Sequence, residues 1–75
     1  MKQQYQSLSL VAGANLKRLI KEANMTQEEA AEKLLLSEGS CIRRLIRNGI
    51  TKIDEIQRIA DIFGVPFSEM IKLPD

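Results

Sequence analysis

The stretch TQEEAAEKLLLSEGSCIRRLIRNG, residues 26–49, holds two helical patterns of opposite charge separated by an apolar interruption. Thr26 with Glu29 three residues later is a capping box, in which each side chain satisfies an otherwise unpaired backbone N–H, so a helix starts at Gln27. That helix buries Ala30, Ala31 and Leu34, and alanines on an inward face imply a close neighbouring helix. After LLLSEGS, Ser37 is a good N-cap for the next helix, which runs to about Asn48 and stops at Gly49. Advancing about 100° per residue, Ser40, Arg43, Arg44 and Arg47 share an arc of ~100°, while Cys41, Ile42, Leu45 and Ile46 fall on the other side. A helix exposed only for solubility mixes charge signs to gain i, i+4 pairs. This one carries three arginines and no interleaved carboxylate, Glu38 lying at its start. Arginine is also the side chain best matched to phosphate oxygens and to the O6/N7 edge of guanine.

Working outward, Leu16, Leu19, Ile20 and Ala23 repeat at i, i+3, i+4, i+7, which predicts a preceding helix from about Gly13 to Ala23. Lys17, Arg18 and Lys21 turn outward, and Asn24 can adopt the left-handed conformation that ends the helix. On the other flank a helix is expected from Ile53 to Phe63, with Ile53, Ile56, Ile59, Ala60 and Phe63 inward and Gly64 as its stop. VPFSEMIK supplies a short fifth helix whose Phe67, Met70 and Ile71 cover the base of the core. Residues 1–11 are read as an arm or dimerisation element, because YQSLSLV alternates like a strand with nothing to pair with.

Length and composition bound the function. With 75 residues, half of the roughly 150 of a typical domain, the chain is expected to form one domain with a small core. A hydrophobic fraction of 44% and a charged fraction of 28% are those of a globular protein. No apolar run reaches the ~18 residues of a membrane span and the start lacks a long apolar stretch, so a cytoplasmic location is expected, with no membrane partner. One cysteine and no histidine leave out the usual zinc sets, and no metal or other cofactor is expected. Cys41 reads as a small core residue, since a redox sensor needs an exposed, activated thiolate. There is no Ser/His or Cys/His pair, Asp54, Glu55 and Asp61 read as helix surface without partners, and Gly13 is isolated, so an enzyme is not expected.

The net charge of +1 hides a partition. Lys2, Lys17, Arg18 and Lys21 face only Glu22 in residues 1–25, and Arg43, Arg44, Arg47 and Lys52 face only Glu38 in residues 38–52. The acids are concentrated between and after these two basic blocks.

GANLKRLIKEANMTQEEAAEKL (13–34), SEGSCIRRLIRNG (37–49) and IDEIQRIADIFGVPFSEMI (53–71) together resemble the Cro/CI (Xre-type) helix-turn-helix domain of phage repressors and bacterial regulators. The Thr-Gln-Glu-Glu opening of helix 2 and the Ile-Ala-x-x-(apolar)-Gly-Val ending of helix 4 are specific in combination. The resemblance implies an all-α, compact five-helix, lambda-repressor-like domain over residues 13–71; residues 1–12 fall outside it and are expected as a flexible or dimerising arm, and 72–75 as a tail. It also implies a mechanism in which helix 3 enters the DNA major groove while helix 2 lies across the backbone with its N-terminus toward a phosphate.

Carried over, Glu38, Gly39, Ser40, Arg43 and Arg44 stand at base-contacting positions. Thr26, Gln27, Arg47, Lys52 and Lys17 stand as contacts to the DNA backbone. The sequence departs from the family at the turn, where Leu35 occupies a position usually held by Gly. It departs also in register: matching Leu34 and Ser37 makes Cys41 the buried residue of helix 3, whereas matching Leu45 makes it Ile42.

The expected function is a sequence-specific, double-stranded DNA-binding transcriptional regulator, a repressor, with no small-molecule ligand. A homodimer on an inverted-repeat operator would double the few phosphate contacts of one small domain, and Ile62, Phe67 and Ile71 are the candidate dimer surface, with completion of the core as their other reading. The alternative function is a protein-interaction module, such as an antitoxin or anti-repressor, whose arginines grip an acidic partner.

Overall fold

The computed structural model describes residues 7–35 and 39–73. They form five helices, α1 (Leu8–Glu22), α2 (Gln27–Lys33), α3 (Gly39–Asn48), α4 (Ile53–Phe63) and α5 (Phe67–Met70), and among the described residues there is no strand. None of these helices is long and apolar enough to cross a membrane.

Helix α1 begins five residues before the periodicity predicts. Ser7 is its N-cap, its hydroxyl accepting from the Leu10 N–H at 3.3 Å. The first turns bury Val11 and Ala12. Leu8 to Ala12 are therefore the first turns of α1, with Val11 and Ala12 in the core, where the alternation of SLSLV predicts an arm; residues 1–6 lie outside the described residues. The bounds of α2, α4 and α5 follow their local signals. The α2 capping box is complete: Glu29 N–H donates to the Thr26 hydroxyl at 3.0 Å and Thr26 N–H to the Glu29 carboxylate at 2.8 Å. The expected cap Ser37 lies outside the described residues.

Besides α3, which is followed by Gly49 at φ 95°, three helices end on a left-handed residue: Asn24 after α1 (φ 60°), Leu35 after α2 (φ 60°) and Gly64 after α4 (φ 71°). At each end the left-handed residue's N–H reaches back to a carbonyl of the last turn, Lys21, Glu32 and Asp61 respectively. Asn and Gly take this conformation cheaply, whereas for Leu it costs about 1–2 kcal/mol. Leu35 thus adopts the backbone of the glycine it replaces, and its side chain is 83% exposed.

The core is one cluster built from Leu16, Leu19 and Ile20 of α1, the Ala30–Ala31 pair of α2, Ile42 of α3, Ile56 and Ile59 of α4, and Met70 of α5. Ile53, expected inward, is 61% exposed at the first position of α4. The residue facing the core from this region is Ile50, 1% exposed, in the loop before it. Of the three residues expected to cover the base, Met70 is fully buried, while Phe67 and Ile71 are half-buried.

A polar latch joins α1 to the end of α5. Asn15 is buried, and its amide donates to the Met70 carbonyl at 2.8 Å and the Lys72 carbonyl at 2.9 Å. Its own carbonyl accepts from both Nε and Nη2 of Arg18, each at 3.3 Å. Arg18 was expected to turn outward; it is only partly exposed and also pairs with Glu69 at 3.1 Å and Glu22 at 3.2 Å. A buried amide that satisfies two backbone carbonyls adds a polar tie between α1 and the end of α5, whose Met70 is already in the core.

Candidate nucleic-acid interface

The position of α3 is set by α1 and α2, both of which pack along it. Gly13 faces the second half of α3, where a Cβ would stand 2.6 Å from the Leu45 carbonyl oxygen and 3.0 Å from that of Ile46. The two helices therefore meet backbone to backbone. The end of α3 is also tied to α1: Gly49 turns the chain at φ 95°, and Ile50 N–H donates to the Ser9 carbonyl at 2.9 Å. A Cβ on Gly49 would meet Ser9 at 2.8 Å, so both the conformation and the close approach require glycine.

With the back of α3 fixed, its register decides what faces out. Ile42 is fully buried and Cys41 half-buried, so Ile42 is the core residue of α3 and the reading of Cys41 as a small core residue is corrected. Leu45 and Ile46 are half-buried against the core on the same side. At about 100° per residue from Ile42, Arg44 stands at ~200° and Arg47 at ~140°, nearly opposite the core, while Arg43 at ~100° and Asn48 at ~240° flank them. All four are exposed, and they line one cleft of about 250 Å³. The α3 sequence contains no carboxylate, so the guanidinium groups in this cleft have no anion on their own helix.

The other expected contact residues lie on α1 and at the starts of α2, α3 and α4. Thr26 and Gln27 open α2, with Gln27 half-buried; the Thr26 hydroxyl accepts from Glu29 and keeps its proton to donate. Lys52 is exposed at the N-cap of α4, and Lys17 is exposed on α1. Gly39 and Ser40 supply the first two positions of α3, and Glu38 lies outside the described residues. Ile62 and Phe67 are half-buried and pack against the core cluster, and Ile71 is half-buried after α5.

Sequence reasoning missed two residues of this region: Asn48, read only as the end of the helix, lines the cleft, and Arg58 follows on α4. Arg58 of α4 donates through Nη2 to the carbonyl of Leu34 at the end of α2, and through Nη1 to Glu55 at 3.3 Å. Glu55 is thus partnered, contrary to expectation, and so is Asp61, which accepts from Gln57 at 2.8 Å. The i, i+3 spacing of Glu55 and Arg58 is readable in the sequence, but the contact across 24 positions to Leu34 is not.

A helix-turn-helix family model matches residues 16–70. Among solved structures, the crystal structure of the hypothetical transcription factor NHTF from Neisseria superimposes with a TM-score of 0.79, at 20% identity, over 99% of this chain and 85% of that one. At that identity the likeness is one of fold. A comparison with curated proteins finds no match. The family match covers the second half of α1 and all of α2 to α5, and the chain belongs to the Xre-type helix-turn-helix family of DNA-binding regulators.

Proposed function

We propose that this protein is a sequence-specific repressor that inserts α3 into the major groove of double-stranded DNA, as a homodimer on an inverted repeat. The observation that carries this reading is the cleft of Arg43, Arg44, Arg47 and Asn48, on a helix whose opposite side is fixed to α1 by backbone contact. In this reading Arg44, nearly opposite Ile42, reaches deepest and pairs with the O6/N7 edge of a guanine. Gly39 and Ser40, at the start of α3, admit close approach to neighbouring bases, and Glu38 and Arg43 complete the base-facing set. Arg47, Lys52 and Lys17 neutralise phosphates, and Thr26 and Gln27 donate to a phosphate at the α2 N-terminus. Repression follows from occupancy, because a small reader seated on a promoter excludes other proteins from it.

Two half-sites one helical turn apart, ~34 Å, make a dimer the natural binding unit. The proposed dimer surface is Ile62, Phe67 and Ile71, which leave part of their apolar area uncovered. Light scattering of the free protein and of its DNA complex tests this: a single-chain mass in both would eliminate the dimer.

The test of the DNA reading is fluorescence anisotropy on a randomised duplex pool across ~50–200 mM salt, with bound molecules recovered and sequenced. The expected result is a steep loss of affinity with salt, each neutralised phosphate adding about −0.9 to the log–log slope, together with an enriched inverted repeat. Absence of binding at the lowest salt would move the arginines to an acidic protein surface.

A further inference from the structure

We infer that Arg58 is a positioning residue for DNA reading: it holds the C-terminal end of α2, against which α3 packs, and so sets how the N-terminal end of α3 meets the bases. This rests on the reading of α3 as the helix that enters the groove. Three observations carry it.

The first is what Arg58 touches. Its guanidinium donates to the Leu34 carbonyl, in the residue that closes α2, and Glu55 at 3.3 Å holds the same group from the other side. A cation at a helix C-terminus meets both the unsatisfied carbonyls and the negative end of the helix dipole, and a charged donor makes the stronger kind of hydrogen bond. The second is where this bond sits. Leu34 is immediately followed by Leu35, whose left-handed φ of 60° turns the chain out of α2. At that position a Leu backbone is strained, so the end of α2 has reason to relax unless it is held. The third is the division of labour along α3. Its second half is locked to α1 through Gly13, but that contact lies at Leu45 and Ile46. Among the described residues α4 packs chiefly on α5 and α1, and Arg58 reaches from it to Leu34 at the end of α2.

The end of α3 nearest the turn is where base-edge contacts concentrate in this kind of domain. A small rotation there moves Gly39 and Ser40 relative to the bases, while Arg47 and Lys52 at the far end keep their phosphates. Loss of Arg58 therefore degrades discrimination more than it degrades attachment.

The experiment compares wild type with Arg58→Gln, Arg58→Lys and Glu55→Gln on two probes: the duplex most enriched by wild type from a randomised pool, and the unselected pool. All measurements are made at a temperature where circular dichroism shows each variant folded. If Arg58→Gln does not fold, Arg58→Lys and Glu55→Gln, which retain a cation or leave Arg58 in place, carry the comparison. The expected result is a fall of about tenfold, the size of one weakened base contact, in the ratio of selected to unselected binding, with the salt slope on the unselected pool unchanged. An unchanged ratio in folded variants would overturn the inference. So would a salt slope shallower by about 0.9 for Arg58→Gln, because Arg58 would then be a phosphate contact. Failure of wild type to enrich any duplex is a different outcome and removes the DNA reading itself.

Discussion

The carbonyl oxygen of Leu45 lies 2.6 Å from where Gly13 would carry a Cβ, a distance at which no side chain fits. The obstructing atom is backbone, so it cannot move aside as a flexible side chain would. Gly13→Ala sets two effects against each other: alanine's better helix propensity, up to about 1 kcal/mol, and the strain of forcing α1 and α3 apart, about 1–3 kcal/mol. The clash wins, and the expected outcome is a lower melting temperature by circular dichroism. A rise instead would mean that the two backbones are not in contact.

At Leu35 the opposite sign is expected. Leu35→Gly relieves about 1–2 kcal/mol of left-handed strain and gives up little packing, since the side chain is 83% exposed, but it adds unfolded-state entropy of up to about 1 kcal/mol. The net gain is about 0.5–1 kcal/mol, or several degrees in a domain of this size. Urea denaturation gives the check; a loss of stability would show that Leu35 makes a contact its exposure does not reveal.

These two positions also mark what the sequence could and could not tell. The α2 capping box, the Gly64 stop and the split faces of α3 are signals between residues at most four apart, and the fold agrees with them. The start of α1 was missed because Ser7, Leu8 and Leu10 alternate locally, whereas the pattern that matters joins Val11 and Ala12 to Leu16. The register of α3 needed Ile42 to be placed against the core, which no spacing within α3 determines when Cys41 and Ile42 are both apolar. Asn15, Arg18 and Arg58 were out of reach for another reason: their partners, Met70, Lys72, Glu69 and Leu34, are brought near only by the fold.

Asn15→Ala removes the donor to the Met70 and Lys72 carbonyls and the acceptor of Arg18. Its cost is expected at about 1–3 kcal/mol, and Arg18→Ala in the same background should add less than it costs alone. Hydrogen exchange then shows the loss of protection concentrated at α5. Full additivity of the two substitutions would show that Asn15 and Arg18 act separately.

On the outer face of α3, register separates the arginines. Arg44→Ala is expected to cost about 1–3 kcal/mol on the preferred duplex and to relax preference at one base pair. Arg43→Ala, on the flank, should cost less, and Lys52→Ala should weaken all sequences alike and flatten the salt slope by about 0.9. Equal, sequence-independent losses for all three would reduce the arginines to anchors.

The hydrogen bond from Ile50 to Ser9 has a practical consequence. A fragment trimmed to the family-matched span, residues 16–70, would discard Ser9, Val11 and Gly13 at one end and the Lys72 carbonyl at the other. It would keep every residue of the arginine cleft and lose the part of α1 against which α3 is seated. A piece that keeps these contacts runs at least from the Ser7 cap to Lys72, so the boundaries drawn by similarity are narrower than those drawn by mechanics.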